Sequence, residues 1–420
     1  MKILWTVNLI PAEMSVQLNL PTEVLGGWVE SMAAQLQNQQ DLQLAIACKC
    51  GETPVFDQVV NGIRYFSMNY KNKKTAESLA ARCEEIITAY APDLVHIEGT
   101  EFPHAKAMLE VCKAKQIPAV VSLQGVLNGQ YQYQCGQLPM DDMMFSTSFT
   151  NVFAAWILHL RKVKWYKPRM KPERELLQQA DYILGRTTWD RAHSYAINPK
   201  AEYFSCNRVL RQPFYEQAWN LDKMQRHSIY VGNGYYALKG LHYLVMALPL
   251  LIREYPDVKV YVAGYQPYSK KDSRSLIKKG YGAYLKKLIT DLNVEDHIEF
   301  TGPMKAEQVA EKLASVNAYV LTSTVENSPN SFGEAMMVGT PCVASYVGGV
   351  PDMAQDGKEA LFYRNDDPQL LAYRIKQIFD DDALALSLSE QGKKRSKITH
   401  DAAINANELL HTYQTILRVR

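Results

Sequence analysis

The sequence predicts an α/β protein made of two doubly wound domains, and three observations carry that prediction. Short apolar runs alternate with amphipathic helical stretches along the chain, with few hairpin signals between them. That is the pattern of parallel sheets with helices on both faces. At 420 residues the chain is long enough for two such domains, each with a sizeable core. The stretch Tyr319 to Gly349, YVLTSTVENSPNSFGEAMMVGTPCVASYVGG, reads as a complete strand–loop–helix–strand unit.

Taken in order, MKILWTVNLI is a first buried strand; it lacks the basic leader and long apolar core of a signal peptide. A long, rather apolar loop from Leu9 to Leu25 leads to Gly26–Gly27 and an amphipathic helix from Trp28 to Leu36. A glycine pair opening a helix permits close approach of backbone to a phosphate, and also suits a plain tight turn. Strands follow at Leu42–Ala47 and Ile63–Met68, a helix at Ala76–Tyr90, and a strand at Leu94–Ile97 with Glu98 just past its end. Pro103 is placed to open the next helix, and Ala119–Leu123 is a strand ending at Gln124. In a parallel sheet such strand-end residues face the ligand side, so Glu98 and Gln124 are expected there.

Between Asp141 and Gln179, WILHLRKVKWYKPRMKPERELL interleaves Trp156 and Trp165 with Arg161, Lys164, Lys167 and Arg169. Aromatic and basic residues together suit an anionic membrane surface or a phosphate-bearing acceptor, although a solvated helix face also accommodates a charge run. No nucleic-acid module accompanies them. Asp181–Leu184 is a strand and Arg186–Ala196 a helix, and Asn207–Trp219 is the expected interdomain linker, with Arg208 and Arg211 as spare cations.

The second domain opens with the strand Ile229–Val231. Lys239–Gly240 then begins a helix with Leu241, Leu244, Val245 and Leu248 on one face. Val258–Ala263 is a strand ending at Gly264, and Tyr268–Lys287 is a lysine-rich, solvated loop and helix. Ile298–Thr301 is a strand closed by Gly302 and followed by Met304. In the central unit, Gly339 stops the helix and Pro341 lies beyond it. The first amides of that helix, at Asn330, Ser331 and Phe332, would face an anion. Ser331 and Glu334 are also spaced as a capping box, which needs no ligand. Glu326, in a loop that needs no acid for folding, has no such structural purpose. Helices at Pro368–Phe379, Asp382–Ser396 and Ala402–Arg418 complete the chain.

The Glu–seven residues–Glu spacing of Glu326 and Glu334, followed by AMMVGTPCVAS and GGVPD, resembles the family-four retaining glycosyltransferases (glycosyl transferases group one) of the GT-B fold. The resemblance is specific over the second domain, and covers the first only in its order of elements. It implies two Rossmann-like domains facing across a cleft: an acceptor-binding domain over residues 1–210, a nucleotide-sugar-binding domain over 211–400, and a final helix, 401–420, crossing back to the first. Glu326 would then approach the donor sugar and Glu334 its ribose. Lys239 and the helix amides would meet the diphosphate, joined by backbone at Gly27. Gly264 and Met304 would line the base. The reaction implied is sugar transfer with retained anomeric configuration, without a metal or resident cofactor, from a nucleotide-diphosphate sugar to a glycan or lipid-linked acceptor of cell-surface polysaccharide.

Two departures qualify the resemblance. Asn233 stands where the family has a diphosphate-binding arginine. Gln124 stands where many members have a histidine, and an amide can bond a sugar hydroxyl but exchanges no proton near neutral pH. His104, nearby in sequence, could substitute, but its position reads first as a plain surface helix histidine. These departures keep open a non-catalytic nucleotide-sugar-binding scaffold, with a nucleotide-sugar epimerase as a further alternative. A dinucleotide-dependent oxidoreductase is disfavoured, because no GxGxxG follows the first strand. The net charge of +2 gives no general reason to expect nucleic acid. Seven cysteines without CxxC pairs favour free thiols in a reducing cytosol, and no apolar run approaches the roughly 20 residues of a membrane span. A cytoplasmic protein, at most peripheral on the inner face of the membrane, is the expectation.

Overall fold

The computed structural model describes residues 1–20, 27–39, 41–51, 55–69, 76–138, 149–268 and 280–419. They form two compact units, one of Met1–Gly129, Pro168–Arg211 and His400–Arg420, the other of Gln130–Lys167 and Gln212–Thr399. Against the expected division 1–210, 211–400 and 401–420, the last segment falls in the first unit, where the final helix was expected, and one internal segment departs. Residues 130–167 belong to the second unit. The physical reason lies in polar anchors: the ring of His242 meets the Gly136 carbonyl at 3.0 Å, and Tyr243 donates to the same oxygen at 3.2 Å. Gly136 has φ +66°, and a Cβ there would lie 2.3 Å from the Ala237 carbonyl oxygen.

The first unit is built on an eight-stranded sheet. Its strands are β1 (Lys2–Val7), β2 (Gln43–Cys50), β3 (Asp57–Val60), β4 (Ile63–Asn69), β5 (Leu94–Glu98), β6 (Ala119–Ser122), β7 (Tyr182–Gly185) and β8 (Glu202–Ser205), in the order β3-β4-β2-β1-β5-β6-β7-β8. Both faces are buried, which is why the strands read as nearly continuous apolar runs. Along β1, Leu4 joins the layer containing Phe66, Ile86 and Met108, while Ile3, Trp5 and Val7 join the opposite layer with Leu36 and Tyr413. The helix Ala402–Arg418 contributes Leu409, Tyr413 and Ile416 to that second layer. Trp5 Nε1 donates to its Tyr413 hydroxyl at 2.9 Å.

One pairing of this sheet is antiparallel, β3 with β4, and the sequence reading passed over it. The signal was Asn61–Gly62, with φ of +47° and +83°. Two consecutive left-handed residues make the tight hairpin turn that matches strand twist. β3 is mostly exposed and carries no apolar run to announce it.

The second unit holds a six-stranded parallel sheet: β9 (Gln225–Val231), β10 (Lys259–Ala263), β11 (Ile298–Gly302), β12 (Val316–Leu321), β13 (Cys342–Ser345) and β14 (Leu361–Tyr363). The order is β11-β10-β9-β12-β13-β14, so the direction of winding reverses between β9 and β12. In doubly wound sheets the crevice beyond the carboxyl ends at this switch point is where ligands bind. The helix Tyr281–Asp291 is not the solvated element expected from its lysines, since Tyr281, Leu285 and Ile289 are buried in the unit. The part of that expectation on residues 269–279 lies outside the described residues, as do Gly26, residues 21–25 of the preceding loop and residues 141–148.

Candidate functional site

The switch point of the second sheet brings two sequence-predicted residues together. Lys239 Nζ lies 2.5 Å from Glu326 Oε1, and Ser323 donates to the same carboxylate oxygen at 2.7 Å. Lys239 does not stand on a helix, as the apolar periodicity after it suggested. It ends a 3-10 turn, Ala237–Lys239, and Gly240 at φ +66° separates that turn from the helix Leu241–Glu254. A Cβ at Gly240 would sit 1.9 Å from the Thr322 carbonyl oxygen, so the turn after β9 and the loop after β12 touch through bare backbone. Thr322 Oγ1 donates to the Lys239 carbonyl at 2.6 Å, and the Thr324 amide to the Leu238 carbonyl at 2.9 Å. From the other side, Gly348 packs on Glu326: a Cβ there would lie 1.9 Å from the Glu326 carbonyl oxygen, which the Gly349 amide also bonds at 3.0 Å. The acid is thus held by three loops. Ser323 was not singled out from sequence, although its position three residues before Glu326 was the available signal.

The helix Asn330–Val338 starts beside this pair. Its N-cap is Pro329, which supplies no side-chain cap, so the Ser331–Glu334 capping box is not formed. Ser331 instead accepts from the Tyr319 hydroxyl at 2.9 Å, and a Cβ on Gly232 would meet its side chain at 3.1 Å. The Phe332 amide turns back to the Pro329 carbonyl at 3.1 Å, so the anion-facing pair narrows to Asn330 and Ser331. Glu334 is buried within the helix. Asn233 is exposed, and its side-chain oxygen accepts the Tyr235 amide at 2.9 Å in a local turn. Gly264 (φ +92°) bridges Gly302 through reciprocal backbone bonds of 2.9 and 3.2 Å, with open space where a Cβ would be. Met304 lies half-buried in the loop after β11.

In the first unit, Gly27 opens the helix Gly27–Gln37, and the Arg211 side chain lies against it: a Cβ on Gly27 would meet Arg211 Cδ at 2.8 Å. Arg208 is not a spare cation. It is buried, 3.3 Å from Glu98, with its guanidinium 3.2 Å from the centre of the Trp28 ring. Burial and the neighbouring Arg186 push it down to about 9 against the pull of Glu98. Burial alone would raise the Glu98 carboxyl, but Arg208, His96 and Arg186 together hold it below its ordinary value. Glu98 therefore serves a buried ion network around a cavity of about 30 Å³, rather than pointing freely outward. His104 is buried as well, not a surface histidine, and burial lowers it to about 3.

Gln124 is half-buried at the end of β6, near Gly99 and Glu101. A Cβ on Gly99 would lie 2.6 Å from Glu101 Oε2 and 3.3 Å from Gln124 Cδ. Glu101 escaped the sequence reading. Burial, aided by the nearby Glu173 charge, raises its carboxyl to about 7. Glu173, also missed, is fully buried and accepts from the amides of Leu127 and Asn128 at 2.9 and 2.8 Å and from Thr100 Oγ1 at 2.6 Å. It fastens the loops after β5 and β6. Neither acid stood in a recognisable motif.

The basic, aromatic stretch forms helix Phe149–Arg161, a π-helical turn Lys162–Tyr166, and helix Lys167–Gln179. Trp156, Lys164, Trp165 and Lys167 are exposed, Arg169 is half-buried, and the Arg161 guanidinium sits 4.3 Å from the centre of the Tyr236 ring. Among the described residues no helix is long and apolar enough to cross a membrane.

Residues 211–395 match the family model described as "Glycosyl transferases group 1". Among curated relatives, the D-inositol 3-phosphate glycosyltransferase of Corynebacterium urealyticum is 26% identical over 185 residues, 43% of this chain and 41% of that protein. A putative colanic acid biosynthesis glycosyltransferase, WcaL of Salmonella typhimurium, is 26% identical over 186 residues, 42% of each chain. The chain thus spans about two fifths of the length of these relatives. Sucrose-phosphate synthase from Thermosynechococcus elongatus superposes with a TM-score of 0.72 at 15% identity over 100% of both chains. Anabaena HepE in complex with UDP-glucose does so with 0.69 at 14%, over 99% of this chain and 100% of that one. Likenesses at that level of identity speak for the fold alone.

Proposed function

Taking as premise that residues 211–395 belong to the glycosyl transferases group 1 and that the chain has the GT-B fold, we propose a retaining glycosyltransferase. It moves a sugar from a nucleotide-diphosphate donor to a glycan or lipid-linked acceptor, in the cytoplasm, without a resident cofactor. A relative named as a putative colanic acid biosynthesis glycosyltransferase and another named as a phosphatidylinositol monomannoside mannosyltransferase support that acceptor class. The free state of all seven cysteines supports a reducing compartment.

The observation that carries this reading is the Lys239–Glu326 pair at the switch point, beside the uncapped helix Asn330–Val338. A donor diphosphate would take the ammonium and the amides of Asn330 and Ser331, whose fixed dipoles need no reorganisation as the leaving group gains charge. Lys239 then exchanges a carboxylate for a phosphate, and Glu326 is released toward the sugar, where it stabilises positive charge developing at the anomeric carbon. With no second carboxylate assigned as nucleophile, the acceptor hydroxyl attacks from the face the diphosphate leaves, and the departing phosphate takes its proton. Glu334 holds the ribose, Gly264 and Met304 border the base, Gly27 adds backbone to the diphosphate, and Gln124 bonds a sugar hydroxyl.

Calorimetry and turnover with UDP-, GDP- and ADP-sugars test the proposal. Lys239→Ala is expected to weaken nucleotide affinity at least about tenfold, and Glu326→Gln to lower turnover by a similar factor, roughly 1.4 kcal/mol, with folding intact. Unchanged affinity in the first variant and unchanged turnover in the second would remove both residues from the mechanism. A second reading, nucleotide-sugar binding without turnover, is favoured by Asn233, whose oxygen is committed to a local turn and which brings no cation. Donor binding without transfer or hydrolysis across a broad acceptor panel would select it.

A further inference from the structure

The second unit presents an aromatic face that the donor site does not use. On the helix Phe149–Arg161, Phe149 is 81% and Trp156 53% exposed, with Val152 beside them. Phe149 stacks on Phe153 at 6.1 Å between ring centres, and Phe153 meets Trp156 at 5.7 Å, giving a continuous ladder. The stripe continues through exposed Val163 and Trp165 in the following turn. Opposite it, Ala154, Ala155, Leu158 and Tyr166 are buried, so the segment is anchored by one side and apolar on the other as well. An exposed helix face of a soluble protein is ordinarily polar, and a contiguous apolar patch marks an interaction surface.

Charge decides what kind. Between Phe149 and Lys167 there is no Asp or Glu, whereas Arg161, Lys162, Lys164 and Lys167 are cationic. Arg161 lies over the Tyr236 ring and Lys162 over the Tyr131 ring, so Lys164 and Lys167 are the exposed cations at the end of the aromatic ladder. Phenylalanine and tryptophan reaching the headgroup–acyl boundary, with lysines at the level of lipid phosphates, is the arrangement of a helix lying in a bilayer interface. We infer that the exposed face of Phe149–Lys167 docks the protein on an anionic phospholipid surface, Phe149 and Trp156 entering the interface and Lys164 and Lys167 meeting phosphates. The surface rests on none of the donor-site residues and stands whether or not the protein turns over a sugar nucleotide.

The test is co-sedimentation of the full chain with vesicles of phosphatidylcholine, or of phosphatidylcholine mixed with phosphatidylglycerol. The wild type is expected to partition at least about tenfold better onto the anionic vesicles, less so at raised salt. Phe149→Ser/Trp156→Ser and Lys164→Glu/Lys167→Glu should each reduce that partition at least about tenfold. Unchanged circular dichroism and an unchanged thermal shift with the preferred nucleotide would show that each variant is folded. Failure of the wild type to bind anionic vesicles, equal binding to both vesicles, or equal binding by the variants would each overturn the inference. So would a wild-type dimer in light scattering that the Phe149→Ser/Trp156→Ser variant dissolves, which would give the face to a second copy.

Discussion

Buried charge is concentrated in a few side chains whose partners can be named. Glu98 and Arg208 are both buried and lie 3.3 Å apart, so removing the carboxylate leaves an uncompensated cation in a low-dielectric site. Glu98→Gln is therefore expected to cost about 3–5 kcal/mol in chemical denaturation. A loss below about 1 kcal/mol would mean that water or another group already balances the arginine. Glu101 behaves in the opposite sense. Its carboxyl is raised to about 7 from an ordinary value of 4.5, so between those pH values the unfolded chain ionises first and the native state loses stability as pH rises. Glu101→Gln, which keeps an oxygen for the Thr100 amide, should remove that loss. The variant is expected to gain on the order of 3 kcal/mol on the wild type between pH 4.5 and 8. Parallel pH–stability curves for the two proteins would dismiss the shift.

At the scale of elements, the carboxyl-end side of the second sheet is made by loops that touch through glycine. Gly348 adopts φ +52° with the Glu326 carbonyl where a Cβ would be, and Gly240 does the same against Thr322. Gly348→Ala must displace the Glu326 backbone in addition to the roughly 1–2 kcal/mol of a left-handed alanine. It should lower both the melting temperature and nucleotide affinity; retention of wild-type affinity would show that the loop position is not set by this contact. These contacts explain a difference between motif and geometry. The strand–loop–helix–strand pattern was legible because apolar runs and the Gly339 stop are local signals, and Gly339 does adopt φ +90°. That Lys239 lies on a turn rather than a helix was not legible. It follows from the Thr322 carbonyl occupying the space at Gly240, and residues 240 and 322 meet only after the sheet has formed.

On the scale of the whole molecule, each compact unit is assembled from segments far apart in the chain. The helix Ala402–Arg418 packs Leu409, Tyr413 and Ile416 into the core of the first unit. Each such side chain is worth roughly 1.5–3 kcal/mol when buried. Deleting residues 400–420 is accordingly expected to leave the first unit unfolded or insoluble, as limited proteolysis would report, while a protease-resistant second unit survives. Equal resistance of both units would show that the helix is dispensable.

By itself, the sequence determined the alternation of strands and helices, the parallel pairing of every strand but the β3 edge, and the Glu326–Glu334 motif, because period and turn chemistry are written locally. It also held, unread, the Asn61–Gly62 turn of the antiparallel edge. Only the tertiary structure decided that Lys239 and Glu326 meet at the reversal of a 3-2-1-4-5-6 strand order, that Arg208 is consumed by Glu98, and that Glu101 is raised by burial beside Glu173. Those properties depend on distance and dielectric between residues far apart in the chain, which spacing along the sequence does not encode.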